Sequence, residues 1–251
     1  MNILLRLAYN GTAYHGFQVQ KNALSVCEVL QDAMQAVLGA RPAVKGCSRT
    51  DAGVHARGYC VNFWYDTDIP LEKLPLALNA HLPEDVRVFR AQAVPEDFHA
   101  RYSAQGKRYA YHILNSAVDD PFRTGFYYRM AGMIDAARMQ VATKHLVGTH
   151  DFAAFQAAGS DVLDTVRTIT QCRVQAQGRW LALRVTGDGF LYNMVRIMAG
   201  TLLQVGTGAL MMDDLPDILA SRNRQRAGPT LPAKGLVLER VFYSDDALGI
   251  L

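Results

Sequence analysis

Apolar side chains alternate along Ile3, Leu5, Leu7 and Tyr9, which predicts a half-buried strand, and Asn10-Gly11 ends it with a turn. A helix follows. Ser25 is its N-cap, with Glu28 three residues on as in a capping box. Val29, Leu30, Ala33, Met34, Val37 and Leu38 form one apolar stripe, and Gly39 stops it. Residues 59–65 and 86–93 read as strands. The pattern then recurs. Residues 107–114 alternate as a strand, and 134–147 are helical with Ile134, Met139, Ala142 and Leu146 inward. Strands are expected at 163–175 and 179–186, separated by Gln177-Gly178. A second long helix covers about 189–206, a short one 213–222, and a last strand 235–243.

This order predicts an α+β fold of two similar halves, each an antiparallel sheet backed by helices, packed around a central cleft. The polar stretch RYSAQGK at 101–107 marks the boundary, giving halves of 1–103 and 104–251. With no low-complexity linker between them, the cleft is the default binding site.

Composition narrows the class. Of 251 residues, 50% are hydrophobic and 20% charged, so the chain can build a core and is not disordered. No apolar run is long enough to span a bilayer. The start, MNILLRLAYNG, lacks a small-residue cleavage site, so no secretory leader is expected. The four cysteines form no CxxC pair and read as reduced thiols of a cytoplasmic protein, and the histidines include no HExxH; no metal is expected. Net charge is only +3, which demands no nucleic-acid partner. Yet 20 of the 26 basic residues are arginine, the side chain suited to phosphate forks and base stacking. Codon bias accounts for that count equally well.

Three clusters carry candidate chemistry. GCSRTDAGVHA at 46–56 lies between helix and strand and is therefore a loop. Small residues around Asp51 leave its carboxylate accessible, with Arg49 two positions away. It reads either as a turn with a capping aspartate or as a positioned carboxylate with a basic neighbour. Arg196 lies on the helix that carries Met194, Val195, Ile197, Met198, Leu202 and Leu203, and lines up with Gly200 and Gln204. It either snorkels to the surface or meets an anion in a cleft. Tyr109 and Tyr111 share a strand face beside Arg101, Lys107 and Arg108, which fits base stacking and phosphate contact or, equally, core aromatics with solvated charges. Arg222, Arg224 and Arg226 form a further basic stretch or a solvated charge run.

Together the clusters resemble the tRNA pseudouridine synthase A family. GCSRTDAGVHA is similar to its active-site signature, YNGTAYHGFQVQ at 9–20 to its N-terminal segment, and KRYAY at 107–111 to its tyrosine strand. VGTHDFAAF at 147–155, GDGFLYNMVRIMAGTLLQVG at 187–206 and PAKGLVL at 232–238 continue the resemblance through the chain. Phe17 stands where the family usually has Trp, and Cys47-Ser48 precede Arg49 where a small residue is usual. The resemblance implies an isomerase, a pseudouridine synthase acting on uridines 38–40 of the tRNA anticodon stem-loop. Asp51 would be its nucleophile, paired with Arg196. Tyr109 would stack on the uracil, Arg49 would help extrude the base, and Leu236 would form an apolar wall. Arg101, Lys107, Arg108, Arg222, Arg224 and Arg226 would serve as weaker RNA contacts. It implies tRNA and a second copy of the chain as partners, and no cofactor, metal or membrane. The rival readings are a pseudouridine synthase for another RNA site and a catalytically silent RNA-binding protein or tRNA chaperone. The roles of His55 and Asp151 stay open: His55 reads as structural because the chemistry needs no imidazole, and Asp151 lies in a family-like motif where it can also cap a turn.

Overall fold

The computed structural model describes residues 1–160 and 162–244. The fold is α+β, and the chain divides into two compact units, one of Met1–Gln105 with the segment from Val237, the other Gly106–Leu236.

The first unit starts with β1 (Asn2–Tyr9), α1 (Val26–Leu38), β2 (Lys45–Gly46), β3 (His55–Trp64), α2 (Leu74–Asn79) and β4 (Val86–Val94). β1 is central and antiparallel to both neighbours, with Leu5 opposite Val61 of β3 and Ala91 of β4. Ile3, Leu5 and Leu7 are fully buried, as their alternation requires. Asn2 and Asn62 are buried too. Asn62 donates to Asn2 at 2.9 Å, accepts the Ala100 N–H at 2.8 Å, and both amides donate to the Phe98 carbonyl. That network satisfies the buried amides and pins the chain at 98–100. α1 starts and stops as the sequence indicates. The Ser25 hydroxyl accepts the Glu28 N–H at 3.2 Å, and Gly39 takes the left-handed conformation at φ 73°. α2 carries Pro75 in its first turn and buries Leu74 and Leu78. It escapes the periodicity reading because six residues hold less than two helical turns.

The second unit contains β5 (Ala104–Asn115, beginning two residues before the boundary), β6 (Tyr128–Met130), α3 (Ala136–Ala142), β7 (Gly148–Asp151), β8 (Val166–Gln177), β9 (Trp180–Gly187), α4 (Met194–Thr207) and α5 (Leu215–Ser221). Strand order is β5-β9-β8-β7, all antiparallel. The region expected to be one helix over 134–147 is α3 followed by a 3-10 turn, Thr143–Leu146, with Met139, Ala142 and Leu146 buried and Ile134 outside the helix. α4 begins five residues later than expected. Asn193 is left-handed at φ 60°, so the chain before it cannot continue the helix: Tyr192 and Asn193 form a turn closed by the Met194 N–H on the Leu191 carbonyl, and Phe190 precedes it.

The last strand, β10 (Leu236–Tyr243), corrects the expectation of antiparallel sheets. It runs parallel to β3, with Val237 opposite His55, and β6 runs parallel to β5. Strand pairing is thus mixed, parallel and antiparallel. From Val237 the chain therefore lies with the first unit, not with the half it follows in sequence. Sequence order could not show this, because a parallel pairing needs a crossover and leaves no local turn signature.

Candidate active site

Asp51 lies in the loop between β2 and β3. It opens a turn in which the Val54 N–H donates to the Asp51 carbonyl at 3.2 Å and Gly53 has φ 77°. That φ at the third residue of a turn asks for glycine. The carboxylate-bearing residue is half-buried and Arg49 is exposed.

The YNGTAYHG segment supports this loop at contact distance. A Cβ on Gly11 would stand 2.0 Å from the Val54 carbonyl oxygen, and one on Gly16 would stand 2.2 Å from that of Thr50. Only glycine allows the backbones so close. The Tyr9 and Thr50 hydroxyls hydrogen-bond at 2.8 Å, and the Gly53 N–H donates to the Tyr14 carbonyl at 3.1 Å. His55, 2% exposed, accepts the Gly11 N–H on Nδ1 at 3.0 Å. Nδ1 therefore carries no proton, and a neutral ring holds its proton on Nε2. His55 is a tether between two backbone segments. Beneath the loop, Phe17 stacks on Tyr59 with ring centroids 4.3 Å apart, and the Tyr59 hydroxyl donates to the Ser48 carbonyl. Phe17 is 3% exposed, so its departure from the family's usual Trp is a matter of packing.

The second unit fixes Arg196 from two sides. Nε donates to the Leu231 carbonyl at 2.7 Å and Nη1 to the Asn193 side-chain oxygen. The 227–231 segment lies on α4 along the line of Arg196 and Gly200. A Cβ on Gly200 would stand 2.0 Å from the Pro229 oxygen, and the Gly228 N–H donates to the Thr201 hydroxyl at 2.8 Å. The alignment of Arg196 with Gly200 in the sequence is the track of this segment. Arg224 clamps the same segment, donating to the Ala227 carbonyl and, at 3.0 Å, to the Thr230 hydroxyl.

Tyr109, on β5, is 6% exposed and meets Phe190 edge-on at 5.1 Å. Tyr111 is fully buried and donates to the Pro232 carbonyl at 2.7 Å. Burial pushes its phenol above the ordinary range. The core reading of the aromatics thus describes Tyr111, which is fully enclosed, while Tyr109 keeps a small exposed edge. Leu236, at the start of β10, is buried. Lys107 and Arg108 are half-exposed, and Arg108 donates to the Thr186 hydroxyl at 3.1 Å.

Three arginines offered as a basic stretch are engaged locally. Arg222 pairs with Asp151 at 2.8 Å, and Arg226 donates to the Asp217 carbonyl. Asp151 also accepts from the Thr165 hydroxyl and the Ala153 N–H. These contacts, the hydroxyl first, hold its carboxyl below the usual carboxylate range. Burial raises the cysteine thiols, Cys27 to about 11 and Cys172 to about 12. No group of three metal-ligating side chains occurs among the described residues, and no helix there is long and apolar enough to cross a membrane.

Comparison with known proteins places this arrangement. A sequence profile described as tRNA pseudouridine synthase matches residues 7–103 and 142–244. The chain is 44% identical over 242 residues to a tRNA pseudouridine synthase A of Acetivibrio thermocellus, covering 96% of this chain and 99% of that protein. The chain belongs to the tRNA pseudouridine synthase family. It is similar at 46% identity to the tRNA pseudouridine synthase A of Ruminiclostridium cellulolyticum, and at 44% to that of a Thermoanaerobacter species, with 96% of this chain and 99% of each relative covered. This synthase is therefore an isomerase. Asp51, Arg49, Arg196 and Leu236 fall within the matched stretches, whereas Tyr109 falls between them.

The sequence reading did not single out the partners that hold these residues: Gly11, Asn193, Phe190, Thr201 and the 227–231 segment. Gly11 gave a turn signal only. Phe190 was grouped with the helix, and nothing local links Leu231 to Arg196.

Proposed function

We propose that this synthase converts uridine to pseudouridine at positions 38–40 of the tRNA anticodon stem-loop, with Asp51 as nucleophile. The C1′–N1 glycosidic bond breaks and a C1′–C5 bond forms. N1 gains a proton and C5 loses one. Nothing is oxidised or reduced, so the chemistry requires no cofactor. One carboxylate suffices as nucleophile. The observation that carries the reading is the Asp51 turn, half-buried and locked from beneath by Gly11, Gly16 and His55. A carboxylate on so fixed a backbone can hold one attack geometry.

Tyr109, Arg49, Arg196 and Leu236 are the substrate-binding residues of this proposal. Arg49, exposed two residues from Asp51, helps to draw the base out of the stem, which costs a few kcal/mol. Arg196 is the cation, and Asn193 and Leu231 fix its head. Tyr109 stacks on the target uracil, and Leu236 forms the apolar wall that keeps water from the cleaved intermediate. Arg101, Lys107 and Arg108 contact phosphates, with the Arg222–Arg226 stretch as a lesser site because its heads have local partners. The working form is a homodimer in the cytoplasm.

The test maps pseudouridine in unmodified tRNA transcripts incubated with the protein and no added cofactor, beside Asp51→Ala. The expected result is product confined to the anticodon arm and absent with the variant, which still binds tRNA. Product elsewhere moves the substrate. Product with Asp51→Ala overturns the nucleophile.

A further inference from the structure

The first unit holds a pocket of ≈ 330 Å³ beside the Asp51 loop, lined by Phe17, Gln18, Gln31, Arg49 and Arg101 among others. Its volume lies at the small end of ligand sites. Two arginines and no carboxylate line it. Among the described residues, the Arg49 guanidinium has no hydrogen bond or ion pair, and that of Arg101 only covers the exposed Tyr102 ring at 5.7 Å. The Arg101 backbone is anchored nearby: Ala100 donates its N–H to Asn62 at 2.8 Å and accepts the Tyr243 hydroxyl at 2.7 Å. Gln31 is held as well, donating to the Pro42 carbonyl at 3.1 Å. Val19, Ala43 and Val44 add an apolar wall. A hollow that pairs apolar surface with two cations and one anchored amide suits one nucleotide, its base against the wall and its phosphate on the guanidiniums.

We propose that this pocket takes a nucleotide of the substrate RNA next to the target uridine, unstacked from its neighbours, and so helps to choose which uridine reaches Asp51. The inference rests on the proposed RNA substrate. Arg49 joins the two places, since it lines the pocket and stands two residues from Asp51. Phosphate on Arg49 would set the spacing between the held nucleotide and the reacting one.

The test uses the full protein and an anticodon-arm RNA, intact or abasic at either neighbour of the target. Ala43→Trp fills the pocket from an exposed wall position, and Arg101→Gln removes a cation. Both should bind intact RNA about tenfold more weakly, chiefly as a raised KM. One abasic RNA should bind wild type more weakly by a similar factor, and the losses from variant and abasic site should not add. Wild-type affinity in both variants, or fully additive losses, would overturn the proposal. If Ala43→Trp fails to fold, Arg101→Gln decides. Free uridine monophosphate that binds wild type and neither variant, with RNA affinity untouched, assigns the pocket to a free nucleotide and also overturns it. Pseudouridine counted in the same tubes keeps the two readings apart: none with wild type sinks the proposed activity, while the binding arms still judge the pocket.

Discussion

The Asp51 turn and the Arg196 head are each held by neighbours, and under the proposed roles single substitutions should separate holding from reacting. Lysine at 196 keeps a charge but cannot fork between the Leu231 carbonyl and Asn193. Arg196→Lys should lower kcat/KM by one to two orders of magnitude, the scale of a charged hydrogen bond worth about 1.5–3 kcal/mol. Steady-state kinetics on tRNA checks this, and wild-type rates would show that the fork is dispensable. Asp151 offers a pH test. Its folded carboxyl titrates below the unfolded value of about 3.9. The stabilisation is thus fully present above that value and fades as pH falls through the folded one. Asp151→Asn should cost on the order of 1 kcal/mol at pH 7, since the pair is partly exposed, and the gap should close below about pH 4. Urea melts at stepped pH read this, and a gap that stays constant into acid contradicts it.

Among the elements, α1 was legible and α4 only in part, for one reason. The caps of α1 are its own sequence: the Ser25 hydroxyl reaches the N–H of Glu28, and Gly39 stops the helix by its own φ. Ser25→Ala should cost about 1 kcal/mol in thermal or urea melts. The start of α4 depends on Asn193 turning left-handed, and the neighbouring Arg196 head binds that side chain. α4 also depends on Gly200, where any Cβ meets the Pro229 oxygen. Gly200→Ala must push the 227–231 segment away, and Leu231 with it. It should destabilise the protein by about 1–3 kcal/mol and lower kcat as Arg196 loses its anchor. A variant that loses stability but keeps kcat would detach the segment from the site.

Over the whole molecule, net charge is +3, so attraction to tRNA must come from local groups rather than an overall field. If Arg101, Lys107 and Arg108 contact phosphates, log affinity for tRNA should fall with log salt by about 0.7–0.9 per contact. Fluorescence titration across salt gives the slope. A flat response would remove phosphate contact from the account, and charge-neutral variants at these three positions should each reduce the slope by about one contact's worth.

The sequence by itself determined whatever is written within one or two turns of chain: the alternation of β1, the capped helix α1, the loop that carries Asp51 and the chemistry-bearing motifs. The tertiary structure alone decided which segments face each other. β10 is parallel to β3, Gly11 lies against Val54, Asn62 holds Ala100, and Leu231 binds Arg196. Periodicity and capping arise from neighbours along the backbone and repeat with its geometry. Pairings across tens of residues depend on how the chain closes, and the local pattern at either end is compatible with many partners.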